Sequence, residues 1–104
     1  RSTEGAYIDY RADVIGQTTG TKILFFHASW CPQCRALEES IKVGTIPAGV
    51  TIIKVDYDTN QDLRQKYGVT IQATVVRRSD SGDLIKKFVA YTSPTFAAVE
   101  QNVL

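Results

Sequence analysis

The sequence predicts a three-layer α/β domain, with a central mixed sheet of four to five strands and helices on both faces. Residues 22–28 and 50–56 are apolar, β-rich runs of the kind that form strands covered on both sides. The stretch between them is long enough for a helical crossover, which makes the two strands parallel. Further on, two strand-like runs flank a glycine-containing turn, so a hairpin adds antiparallel strands to the same sheet.

In order along the chain, residues 7–16 read as a short strand or turn followed by a helix, ended by the polar segment 17–21. The strand at 22–28 leads directly into two cysteines. Residues 31–43 are rich in helix formers, with Leu37 and Ile41 on one face. Pro32 is tolerated there because the first turn has no amide partner to lose. After the break at 44–49 and the strand at 50–56, Thr59 is the expected cap of a helix that carries Leu63 and Tyr67 and stops at Gly68. Strands at 73–78 and 84–89 flank the turn Asp80-Ser81-Gly82-Asp83. A final helix is expected to start at Ser93-Pro94, with Phe96, Val99 and Val103 on its buried stripe.

All 104 residues fit one domain, since single cores commonly occupy ~100–150 residues, with residues 1–5 expected as a flexible lead. The opening Arg1-Ser2-Thr3-Glu4-Gly5, lacking methionine, is expected of a piece cut from a precursor with a signal peptide or anchor. Twelve basic against eleven acidic side chains give a net charge of +1, which leaves no broad field for nucleic acid or anionic lipid. The longest apolar stretch, residues 23–26, is far below the ~20 residues that span a bilayer. No oligomer interface is evident, so a monomer is expected.

The chemistry concentrates in Trp30-Cys31-Pro32-Gln33-Cys34. A cysteine at a helix start meets unpaired amides and the positive end of the helix dipole, and both favour thiolate, the reactive form. Cys31 is therefore the expected nucleophile. Cys34 lies on the same face within bonding reach, deeper in the helix, as suits a resolving thiol. A structural disulfide over so short a loop would remove little unfolded-state entropy. Zinc usually takes four ligands, and this chain offers Cys31, Cys34 and the lone His27. The reading carried forward is thiol–disulfide exchange. The alternative is a copper or shared-cluster module using the same two thiolates.

The run Phe26-His27-Ala28-Ser29-Trp30-Cys31-Pro32-Gln33-Cys34-Arg35 resembles the strand, W-C-x-x-C and helix signature of the thioredoxin family. Lys54-Val55-Asp56-Tyr57-Asp58, Leu63 and Lys66-Tyr67-Gly68-Val69 resemble that family's second central strand and the helix leading to its substrate loop. The resemblance implies the thioredoxin fold, and a protein disulfide oxidoreductase acting on protein substrates with a redox partner protein. It implies no cofactor or metal beyond the redox-active Cys31–Cys34 disulfide. It also implies supporting roles for Trp30, Pro32, Gln33 and Lys54, and a substrate-binding loop at Gln72, Ala73 and Thr74. Similar exported bacterial proteins favour an extracytoplasmic site. Pro32 directly after Cys31 resembles glutaredoxins and periplasmic oxidants, leaving the direction of electron flow open.

Three departures accompany the resemblance. Ala73 stands where the family usually has a cis-proline, and a trans Gln72–Ala73 peptide is expected because a cis bond before alanine costs ~3–4 kcal/mol. Phe25 stands where thioredoxins bury an aspartate that moves the proton of the second cysteine. Water is the default replacement, with Lys54 or His27 as candidates. A glycine of the family is replaced near Val89-Ala90. Trp30 is either substrate surface or a packing aromatic. His27 is expected to be packed or hydrogen-bonded, and Glu38 and Glu39 to lie on the solvated side of their helix. Arg77, Arg78, Lys86 and Lys87 are expected to guard a sheet edge.

Overall fold

In the computed structural model, residues 5–11, 13–17, 20–79 and 81–104 are described. The elements are β1 (Ala6–Asp9), α1 (Val14–Gln17), β2 (Thr21–His27), α2 (Pro32–Val43), β3 (Val50–Asp56), α3 (Gln61–Tyr67), β4 (Thr74–Arg78), β5 (Leu84–Val89) and α4 (Phe96–Val103). The five strands lie in the order β1-β3-β2-β4-β5. β3 is parallel to both β1 and β2, while β4 runs antiparallel to β2 and to β5. The opening residues 1–4, and parts of the expected breaks at 17–21 and 80–83, lie outside the described residues.

Alternation along β2 divides the interior in two. Ile23 and Phe25 face α2 and α4, where they pack with Leu37, Ile41, Phe96 and Val99. Leu24 and Phe26 face the other side, with Val14 of α1 and Tyr67 of α3. Each fully buried side chain of this size contributes roughly 1.5–3 kcal/mol, so β2 is the spine of both cores. The cysteines follow this spine directly, which fixes their position.

Three local expectations are corrected. Thr59 does not cap α3: its hydroxyl donates to Asp56 Oδ2 at 2.6 Å, and the cap position is Asn60, which makes no side-chain cap bond. The carboxylate at the end of β3 wins the hydroxyl that the helix would otherwise use. The last helix starts at Phe96 rather than at Ser93-Pro94, because Thr95 Oγ1 accepts from the Ala98 amide at 3.2 Å. The Phe96 amide is meanwhile taken by Ser40 Oγ of α2 at 2.9 Å. Finally, β4 begins at Thr74, because Ala73 adopts the left-handed conformation with φ of 62° and leaves the strand.

β5 is an edge strand, and Lys86 and Lys87 are exposed on it. Two of the basic side chains also close helix ends. Arg77 donates to the Val103 carbonyl, and Lys87 donates to the carbonyls of Tyr67 and Gly68. Cations at helix C-termini are favoured by the dipole and the unpaired carbonyls.

Candidate active site

Cys31 is the N-cap of α2. Its backbone is extended, and its Sγ accepts the Cys34 amide at 3.3 Å, occupying the place where serine or aspartate oxygen usually sits. The Cys31 thiol in turn reaches Gln33 Oε1 at 3.7 Å. Pro32 is the exposed first residue of the helix. Cys34 lies one turn in, with its sulfur 3.9 Å from the Phe26 carbonyl. Burial pushes its thiol up to about 12, with the backbone of Ala28 and Ala73 opposing and the neighbouring Cys31 adding to the shift. Both cysteines are free and both are buried, at 1% and 0% exposure. The expected difference in depth is therefore negligible. Hydrogen bonding is what separates the two sulfurs.

The loop facing the pair carries Ile71 to Thr74. The Gln72–Ala73 peptide is trans, as expected. Ala73 donates to the Phe26 carbonyl at 3.0 Å and accepts from the Ala90 amide at 2.9 Å, so its backbone is fully used by the sheet. Its left-handed backbone costs an L-residue roughly 1–2 kcal/mol, and these two bonds hold it there. Thr74 is buried and donates to the Ile71 carbonyl at 2.7 Å, closing the turn. Of the three expected loop residues only Gln72 is partly exposed. Trp30 is 54% exposed, and its indole donates to Asp58 Oδ2 at 2.7 Å. It is a surface aromatic beside Cys31, held at one edge.

Glu38 overturns its expectation. It does not face solvent like its neighbour Glu39, but turns into the sheet, where Tyr7 donates to it at 2.7 Å and Lys54 at 2.9 Å. The physical reason is register. Tyr7 on β1, His27 on β2 and Lys54 on β3 all point to the α2 side of the sheet, and Glu38 is the α2 carboxylate above them. Burial pushes the Glu38 carboxyl up, but the two hydrogen bonds and the Lys54 charge outweigh this and hold it below its usual range. His27 is pushed down, mainly by burial and then by Lys54. Beside them lies a cavity of about 560 Å³ lined by His27, Lys54, Asp56, Asp9 and Arg11 among others. Sequence reasoning missed Glu38 and Tyr7, although Glu38 stands four residues after Cys34, on its stripe.

These groups set a pH dependence of stability. Unfolded histidine binds a proton below about pH 6.5 that folded His27 resists, so stability is lost as pH falls through that range. The depressed Glu38 carboxyl adds a further loss once pH drops below about 4.3. Cys34 acts in the opposite direction, because the unfolded thiol ionises above about pH 8.5 while the folded one does not. Urea unfolding of the reduced protein is expected to lose stability between about pH 8.5 and 10, by at most about 1.4 kcal/mol per pH unit, while the disulfide form should not show this limb; above about pH 10 the raised Tyr7 hydroxyl adds a loss to both forms. An equal alkaline limb in both redox forms would assign it to another group.

A mixed sheet whose central strand delivers a dithiol to a helix N-terminus defines a class of α/β thiol proteins. The family model described as Thioredoxin matches residues 8–99, and the chain belongs to the thioredoxin family. It is 32% identical over 83 residues to the mitochondrial thioredoxin of Bos taurus, covering 78% of this chain and 49% of that protein. It is 37% identical over 65 residues to Thioredoxin-1 of Caenorhabditis elegans, covering 62% and 56%. A solved mutant thioredoxin from Halobacterium salinarum NRC-1 superposes with a TM-score of 0.72 at 25% identity, covering 95% of this chain and 87% of that one. The chain spans about half the length of the curated relatives it matches. Among the described residues no helix is long and apolar enough to cross a membrane.

Proposed function

We propose that the protein is a thiol–disulfide oxidoreductase that exchanges disulfides with protein substrates through Cys31 and Cys34. The observation that carries the reading is the unequal treatment of the two sulfurs, one receiving a helix amide and the other buried with its thiol pushed up to about 12. Cys31 thiolate attacks a substrate disulfide, and one substrate sulfur leaves as thiolate. Cys34 then gives up its proton and attacks Cys31 Sγ, releasing the second substrate thiolate and leaving the Cys31–Cys34 disulfide. A redox partner protein runs the last step in reverse. Trp30 and the exposed part of Gln72 form the substrate surface, and the Gln72 backbone offers pairing groups to an extended segment. The copper or shared-cluster alternative would use the same two thiolates, and among the described residues no group of three or more His, Cys, Asp or Glu is placed to add a further ligand.

The test is equilibration in dithiothreitol or glutathione buffers, read by Trp30 fluorescence and thiol alkylation. The expected result is one two-electron transition with a midpoint between about −300 and −120 mV, the range of exchange proteins. The position of that midpoint gives the direction of electron flow. A protein with no transition would not be an oxidoreductase.

A further inference from the structure

We propose, resting on the exchange reading, that the backbone amide of Ala73 donates to the Cys34 sulfur when that sulfur ionises, so that the loop opposite the helix stabilises the thiolate that resolves the mixed disulfide. One oxygen brings the two groups together. The Phe26 carbonyl accepts the Ala73 amide at 3.0 Å and the Cys34 thiol at 3.9 Å. Two donors on a single acceptor place the amide and the sulfur side by side, and Phe26, Cys34 and Ala73 are all fully buried, out of bulk water. Once the thiol proton has gone, carbonyl and sulfur are both acceptors, with the amide between them. An N–H shared by two acceptors is a common arrangement, and the bond to an ionised acceptor is the stronger one. The amide therefore tips towards the sulfur without any rearrangement of the loop.

The backbone of Ala73 supplies an independent observation. Among the described residues it is the one non-glycine residue with a positive φ, at 62°. Strain of this kind persists only where the surroundings fix it, and it gathers at active sites. Here the Phe26 carbonyl holds the residue on one side, and the Ala90 amide, donating to the Ala73 carbonyl at 2.9 Å, holds it on the other. Burial pushes the Cys34 thiol up to about 12, and the backbones of Ala28 and Ala73 oppose that rise. The titratable groups that interact with Cys34 are Cys31 on its own helix and Tyr7 on β1, and both are anions when ionised. Help for the thiolate therefore comes from the backbone. A proline at position 73 would carry no N–H, so the device depends on the alanine that stands there.

The step balances. Solvent water takes the Cys34 proton, and the electron pair left on sulfur forms the bond to Cys31 Sγ. The Cys31–substrate bond breaks with its pair leaving on the substrate sulfur, which takes a proton back from solvent. The cysteine pair is oxidised and the substrate disulfide reduced. Ala73 neither gains nor loses a proton. Its amide meets a charge that exists only between dithiol and disulfide, which is where a stabilising contact accelerates a step.

The test exchanges the Gln72–Ala73 amide for an ester in the full chain, by incorporating the hydroxy-acid analogue of alanine at position 73, which removes the N–H and keeps the methyl group. Single turnover with a fluorescent disulfide peptide then follows the Cys31 mixed disulfide. Its decay should slow by about three- to tenfold at neutral pH, the lost thiolate being offset in part by the greater nucleophilicity of a more basic sulfur. Attack by Cys31, and the equilibrium constant of the pair with dithiothreitol, should each change less than about twofold, because Cys34 carries no charge in the dithiol or the disulfide. Ala73→Gly keeps the amide and should resolve within about twofold of the parent. Decay slowed by less than about threefold, an equilibrium constant moved by about twofold or more, or slower resolution in Ala73→Gly would overturn the proposal. If the ester chain does not fold, Cys31→Ser/Cys34→Sec puts the same question, since its selenol is ionised at neutral pH. The Ala73 amide proton should move downfield relative to Cys31→Ser, and an unmoved proton would overturn the proposal. Failure of Cys34→Ser to trap any mixed disulfide would instead remove the exchange reading itself.

Discussion

Replacing Cys31 with serine is expected to lower disulfide exchange by about a thousandfold or more, with little change in stability. A serine hydroxyl cannot form the mixed disulfide, so the first covalent step is lost. Cys34 cannot take over, because its sulfur receives no helix amide and its thiol is pushed up to about 12, leaving a negligible thiolate fraction at neutral pH. The fold should survive because position 31 is the N-cap of α2, where a serine oxygen can accept the Cys34 amide in place of sulfur. Cys34→Ser is the complement: attack by Cys31 remains, resolution is lost, and intact mass should show a stable adduct with the substrate peptide. Near-parental turnover by Cys31→Ser, alongside an unchanged urea midpoint, would show that Cys31 is not the nucleophile.

The parts of this site that were legible in the sequence are those fixed by short-range pattern. The apolar runs at 22–28 and 50–56 became β2 and β3 because nothing in a doubly covered sheet opposes their preference. Cys31 could be placed at a helix start because Pro32 and the helix formers after it mark that point. What escaped depends on distant partners. Thr59 looks like a cap until Asp56 claims its hydroxyl, and Ser93-Pro94 looks like a helix start until Ser40 takes the Phe96 amide. Glu38 and Glu39 are alike in sequence. Only the arrival of Tyr7 from β1 and Lys54 from β3 distinguishes the carboxylate that turns inward. The left-handed backbone of Ala73 gave no local sign, since alanine has no preference for it, and the Phe26 and Ala90 bonds impose it.

Phe25→Asp is expected to cost about 5 kcal/mol or more, a large part of the 5–15 kcal/mol typical of a whole domain. Phe25 is fully buried, and its ring meets the His27 ring edge-on at 5.4 Å. Truncating a buried phenylalanine costs about 3–5 kcal/mol through lost contacts and a cavity, and the new carboxylate adds its desolvation. Lys54 lies beside position 25 on the same sheet face, but its ammonium is held 2.9 Å from Glu38. The two carboxylates would therefore compete for one lysine. In the double variant Phe25→Asp/Glu38→Gln, Lys54 is freed, so Glu38→Gln should be less harmful, or even helpful, in the Phe25→Asp background. Urea unfolding of the four proteins measures this as a coupling of about 1–3 kcal/mol. Strict additivity would mean that Glu38 does not occupy the electrostatic place of a strand carboxylate. Coupling of the expected sign would show that an apolar residue can stand at position 25 because helix α2 already supplies the charge that Lys54 requires.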